Sequence, residues 1–84
     1  MPERRITVES EVGLHARPAA LFVEAASKAE GNVTVAKGGG APVSAKSILA
    51  VMGLDVRNGD EIVISADGDG AEELLDTLAG IANA

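Results

Sequence analysis

The sequence predicts a small α+β domain in which helices cover one face of an antiparallel sheet. Apolar residues alternate in some segments and recur at helical spacing in others, in the order strand, helix, strand, strand, helix, strand, helix. The length of 84 residues allows one hydrophobic core. No internal repeat or linker divides the chain, so residues 1–84 are expected to form a single domain. These patterns leave the order of the strands in the sheet open.

Four segments are predicted to be strands, and the clearest of them show alternation of apolar and polar residues. Ile6 and Val8 share one face of the first strand, and Ile62 and Ile64 share one face of the last. The predicted strands span 5–9, 32–37, 41–43 and 61–66.

Three consecutive glycines, Gly38 to Gly40, separate the second and third strands. A phosphate-binding loop would need a Lys-Ser/Thr pair directly after the glycines at the start of a helix, but Pro42 and Val43 follow here. Because glycine adopts positive φ at no steric cost, we interpret this segment as a hairpin turn.

The first helix is predicted to run from Ala16 to Lys28. Pro18 suits the first turn, since its fixed φ is helical and its missing N–H would have no partner there. Apolar residues then recur at helical spacing until Gly31 offers a C-terminal stop.

Two shorter patterns predict the remaining helices. Ser47 is a good N-cap for the second helix, in which Ile48, Val51 and Leu54 are able to face the core. Leu49 and Met52, three residues apart, share another face of it. The third helix is predicted to begin with a capping box made by Asp69 and Glu72, and its apolar stripe consists of Leu74, Leu75, Leu78 and Ile81.

Composition excludes several classes of protein. The chain has no cysteine, which removes disulfides and thiolate catalysis, and a single histidine cannot close a zinc site, so we expect no metal site and no cofactor. The net charge of −6 and the single aromatic residue argue against nucleic-acid binding. Apolar runs too short to span a bilayer and a charged start predict a cytoplasmic protein that does not insert into membranes.

The single histidine, His15, stands at the predicted start of the first helix. Imidazole is substantially neutral and nucleophilic near pH 7, and the free amides and dipole of a helix start stabilise an anion. Arg17 adds a planar cation with several donors. Histidine is an unusual residue in a capping position, which favours a functional role. The grouping is suited to carrying a phosphoryl group.

Three stretches of the sequence resemble the HPr family, the histidine-containing phosphocarriers of the bacterial phosphoenolpyruvate:sugar phosphotransferase system. Gly13 to Ala19 resembles the active-site motif, 45–54 the regulatory serine with its short helix, and 59–66 the strand that follows. Any one of these matches would be weak, but three of them in order, in a chain of the right length, indicate this family. The resemblance implies an open-faced β-sandwich, with a four-stranded antiparallel sheet of order 1-4-2-3 covered on one face by three helices.

The resemblance also implies a set of sites and partners. His15 would accept a phosphoryl group from enzyme I, on its δ nitrogen, and pass it to sugar-specific IIA components, so the protein would be a carrier and not an enzyme. Ala16 and Arg17 would stabilise the phosphate, and Ser47 is a candidate for regulatory phosphorylation. The residues implied in partner docking are Ala20, Ile48, Leu49 and Met52.

Some features of this assignment stay open at the level of sequence. Enterobacterial members carry lysines on the first helix that help to dock enzyme I, whereas this chain has Glu24 there. A kinase acting on Ser47 and a transcriptional regulator remain candidate partners, and the protein is expected to be a monomer. Alternative functions are a carrier of a nitrogen-related branch, a pure interaction module, and a hydrolytic enzyme. The last lacks a second catalytic group to activate water.

Overall fold

Seven elements of secondary structure follow one another in the predicted order. The computed structural model describes residues 2–10, 13–14 and 16–83. The elements are β1 (Glu3–Thr7), α1 (Ala16–Ser27), β2 (Val33–Lys37), β3 (Val43–Ser44), α2 (Ile48–Gly53), β4 (Glu61–Ala66) and α3 (Ala71–Ala82). The strands form one antiparallel sheet in the order β1-β4-β2-β3. The predicted α+β class and the strand order 1-4-2-3 are confirmed.

The core lies between one face of the sheet and the three helices. Ile64 in the central strand β4 pairs with Val35 of β2, and both side chains are fully buried. Phe22 of α1, Val51 of α2 and Leu75 of α3 belong to the same buried cluster. Each helix therefore contributes part of its apolar stripe to a single core, which is the main source of its stability.

The two edge strands, β1 and β3, begin and end at other residues than predicted, because their bounds are set by hydrogen bonding to the neighbouring strand. β1 was predicted over 5–9 but pairs with β4 from Glu3 to Thr7, where the ladder reaches the first residue of β4. β3 was predicted over 41–43 but comprises Val43 and Ser44, which pair with β2. Pro42 cannot donate a ladder hydrogen bond, so the strand begins after it.

The capping box predicted for α3 is wrong. The N-cap is Gly70, with φ of 79°, and it makes no side-chain capping bond. The chain enters α3 through two left-handed glycines, Gly68 and Gly70, and Asp69 therefore lies before the cap position. The Glu72 carboxylate instead accepts a hydrogen bond from Arg4 of β1 at 3.4 Å. By contrast, α1 begins at Ala16 as predicted.

The segment that leads from β1 toward α1 is held closely against the residues that precede β4. The N–H of Leu14 donates to the carbonyl of Val56 at 3.0 Å. Gly13 has φ of +70°, and a Cβ added there would lie 2.4 Å from the Val56 oxygen and 2.7 Å from the Cα of Arg57. Only glycine permits this approach of two backbones.

We predict that Gly13→Ala is more destabilising than Gly38→Ala. Both glycines have positive φ, but a Cβ at Gly38 meets nothing within 4 Å. Gly38→Ala should cost about 1 kcal/mol for its left-handed conformation, and Gly13→Ala roughly 1–3 kcal/mol more for the overlap. Denaturant unfolding of both variants measures the difference. Equal losses would show that the two backbones separate at little cost.

Candidate phosphoryl-carrying site

The predicted phosphohistidine, His15, lies outside the described residues, and the residues on both sides of it are described. Leu14 is buried in the core and bonded to Val56, and Ala16 is exposed as the first residue of α1. One neighbour is thus fixed by packing while the other faces solvent. The helix begins at the residue that directly follows His15 in the sequence.

The amino end of α1 has the electrostatic character of an anion site. The first-turn N–H groups of a helix have no partners within it, and the peptide dipoles give this end a partial positive charge. The first turn of α1 contains no acidic residue. Ala16 and Arg17 are both exposed, so the amides and the guanidinium of this turn are open to a phosphate group.

Arg17 differs from the other basic residues in its surroundings. Arg17 makes no ion pair within the described part of the chain, whereas the rest of the basic side chains contact a carboxylate or a backbone carbonyl. Those paired residues are Arg4, Arg5, Lys28, Lys37, Lys46 and Arg57. Among the described groups, nothing acidic competes for the Arg17 guanidinium.

A turn of four residues, 57–60, lies against the segment before the site through backbone hydrogen bonds and carries charged contacts of its own. The Asp60 carboxylate accepts from the N–H of Arg57 at 2.9 Å and lies 3.3 Å from the Lys37 ammonium. These two contacts lower the pKa of Asp60 below its ordinary value. The hydrogen bond from Arg57 to Asp55 raises the pKa of Arg57. The turn therefore keeps its charges at neutral pH.

The four predicted docking residues are exposed on adjoining helices. Ile48, Leu49 and Met52 of α2 are 37%, 83% and 43% exposed, and Ala20 of α1 is exposed as well. The two helices that carry them, α1 and α2, pack against each other. The sequence also allowed Ile48 to face the core, and this prediction is wrong, because the residue of α2 that is buried is Val51.

Sequence reasoning missed Leu21, a large apolar residue of α1 that is 50% exposed. It falls between the buried positions Ala19 and Phe22, out of phase with the stripe that faces the core. It also stands four residues after Arg17, which places the two on one face of the helix. An apolar residue out of phase with the buried stripe is the signal that could have identified it.

Ser47 caps α2 as predicted. Its side-chain oxygen accepts a hydrogen bond from the N–H of Ala50 at 3.3 Å, and its backbone conformation is extended. Ser47 is half-buried and directly precedes the exposed side chains of Ile48 and Leu49. The cap fixes the hydroxyl at the edge of the apolar surface of α2.

Two further features concern metals and membranes. Over the described ranges, no group of three or more His, Asp or Glu side chains is arranged to hold a metal ion. None of the helices that the structure describes is long and apolar enough to cross a bilayer.

Comparison with known proteins agrees with this geometry. The family model described as the phosphorylation site of the HPr component of the phosphotransferase system matches residues 2–84. The phosphocarrier protein HPr of Streptomyces coelicolor is 52% identical over 79 residues, which cover 94% of this chain and 85% of the relative. The chain belongs to the HPr family, the phosphocarrier proteins of the phosphotransferase system.

Solved structures show the same fold and a variation in assembly. HPr from Bacillus anthracis has a TM-score of 0.88 at 39% identity, with 98% of this chain and 96% of that chain covered. Crh of Bacillus subtilis, a protein of catabolite repression, has a TM-score of 0.71 at 39% identity, with 98% and 93% covered, and forms a domain-swapped dimer. The monomeric state expected from the sequence is therefore not shared by all relatives.

Proposed function

We propose that this protein carries a phosphoryl group on His15, which it accepts from phospho-enzyme I and passes to sugar-specific IIA components. The observation that carries the proposal is the amino end of α1, which begins directly after the chain's single histidine and presents an exposed Arg17 without an ion-pair partner in the described part of the chain. The family match over residues 2–84 supports it.

The chemistry requires position and charge more than covalent participation by other groups. A ring nitrogen of His15 attacks phosphorus in line with the departing donor, so that the new N–P bond forms as the bond to enzyme I breaks. The first-turn amides at Ala16 and Arg17, together with the guanidinium, stabilise the equatorial oxygens. The same groups then hold the phosphohistidine until a nucleophile of the acceptor protein attacks phosphorus, and the N–P bond to His15 breaks as the new bond forms.

An exposed site suits a carrier, because the group must be released to a second protein. Ala16 and Arg17 are exposed, and the small side chain of Ala20 one turn later is exposed too. A free-standing hydrolase would instead need a positioned general base to activate water. We therefore propose transfer between partners and no turnover of a substrate by this chain alone.

The apolar surface of α1 and α2 is proposed as the docking surface for both partners. It consists of Ala20, Leu21, Ile48, Leu49 and Met52. Apolar side chains exposed together on adjoining helices are typical of protein contacts. Glu24 places a negative charge on α1, and the ammonium group of the nearby Lys28 lies 4.0 Å from the Glu24 carboxylate. Docking in this chain would then depend on apolar contact and on Arg17.

The first prediction from the proposed function concerns His15 and Arg17. Incubated with phosphoenolpyruvate and enzyme I, the protein should gain one acid-labile, base-stable phosphoryl group, and His15→Ala should gain none while remaining folded. Arg17→Ala should slow transfer by about tenfold or more, because it loses a charge-assisted contact to the phosphate oxygens. Radiolabelling with rapid quenching measures both. An acid-stable phosphate, or full labelling of His15→Ala, would sink the proposal.

The second prediction concerns docking. Leu49→Glu should raise the KM for phospho-enzyme I by roughly tenfold and leave thermal stability nearly unchanged, since Leu49 is 83% exposed. Thr77→Glu is the control, because it adds the same charge to an exposed position of α3. Steady-state transfer assays compare the two. A KM that rises equally in both variants would indicate a general charge effect and contradict a docking role for Leu49.

The third prediction concerns regulation through Ser47. Aspartate caps a helix as well as serine and suits the helix dipole, so Ser47→Asp should fold with at least the wild-type stability. The added charge lies beside Ile48 and Leu49, where docking must desolvate it, and transfer from enzyme I should become markedly slower, mainly through binding. Transfer kinetics at low and high salt measure this. Wild-type rates at low salt would leave Ser47 as a cap only.

A further inference from the structure

The side chain of Asn58 contacts the segment that leads to His15. Its amide nitrogen donates to the carbonyl of Glu9 at 3.0 Å and to the carbonyl of Ser10 at 3.2 Å. The same Ser10 carbonyl accepts the N–H of Gly13 at 3.0 Å. The amide nitrogen of this single side chain thus donates to two successive backbone carbonyls, those of Glu9 and Ser10, in the segment that precedes His15.

The backbone that carries Asn58 is itself fixed on both sides. The N–H of Gly59 donates to Val8 at 2.7 Å, and that of Val8 donates to Asp60 at 2.8 Å. Asp60 closes the turn by donating its N–H to the carbonyl of Arg57 at 3.0 Å, while its carboxylate accepts the Arg57 N–H at 2.9 Å. A donor on so constrained a turn is preorganised and loses little conformational entropy in holding its partners.

We propose that Asn58 is a positioning residue for phosphoryl transfer, acting through the carbonyls of Glu9 and Ser10 on the placement of His15; this inference rests on the proposed function. The segment is anchored before His15 by Asn58 and again at Leu14 by the Val56 carbonyl. The rate of in-line transfer depends strongly on the position of the nucleophile, and a displacement of about 1 Å can lower the rate by two orders of magnitude.

A second asparagine provides a matched control. Asn83, at the carboxyl end of α3, accepts the N–H of Glu9 at 2.7 Å and donates to the carbonyl of Thr7 at 3.2 Å. It makes two hydrogen bonds to the same segment, as Asn58 does, but neither involves Ser10, whose carbonyl also binds Gly13. Loss of Asn83 should loosen the end of β1 without releasing the Ser10 carbonyl.

The experiment compares Asn58→Ala, Asn58→Asp and Asn83→Ala with the wild-type protein. Phosphoryl transfer from phospho-enzyme I is measured with kcat and KM resolved, and amide hydrogen exchange is followed by NMR in the absence of any partner. Asn58→Ala should lower kcat by roughly five- to tenfold with KM unchanged. Asn58→Asp, which directs a carboxylate at two carbonyls, should be at least as slow.

Hydrogen exchange separates positioning from general loosening. In Asn58→Ala, exchange at the Gly13 amide should accelerate by about tenfold, while in Asn83→Ala acceleration should appear at Glu9 and leave Gly13 and kcat unchanged. Wild-type kcat in Asn58→Ala, or equal loss of kcat in Asn58→Ala and Asn83→Ala, would overturn the inference. A rise in KM alone would make Asn58 a docking contact instead. If the wild-type protein accepts no phosphoryl group, the proposed function fails first and this role with it.

Discussion

The contact of Val8, Gly13 and Leu14 with residues 56–60 is the constraint on which the candidate site depends. Backbone hydrogen bonds join Val8 to Asp60 and Gly59, and Leu14 to Val56. Gly13 makes this possible, because any side chain at that position would overlap the opposing backbone. The start of α1 is therefore placed relative to the sheet through β4, the strand that pairs with both β1 and β2.

The distribution of charge follows from the same architecture. The chain is acidic overall, with a net charge of −6. Several of its paired cations connect different elements, as Arg4 connects β1 with the acidic residues of α3. Arg17 makes no such connection within the described residues. A guanidinium without an internal partner at a helix start retains its capacity for phosphate oxygens. Among the described residues, the charge of Arg17 therefore contributes no ion pair to the stability of the fold.

Burial divides each of the helices α1 and α2 into a side that packs in the core and a side that is exposed. Phe22 and Val51 fill the core, while Leu21 and Leu49 remain exposed on the same helices. A short helix such as α2 has little stability of its own and depends on the cap at Ser47 and on the burial of Val51. The apolar residues that contribute little to folding are thus available for partners.

Local signals in the sequence were enough to determine the start of α1 after His15, the Ser47 cap and the periodicities of the strands and helices, since each depends on residues close together in the chain. Strand order came from family resemblance and not from pattern. Tertiary structure alone decided that Asp69 does not cap α3, that Leu21 is exposed, and that Asn58 contacts Glu9 and Ser10, 49 and 48 residues away. Such features depend on where distant segments meet in space, and neither propensity nor periodicity encodes that meeting.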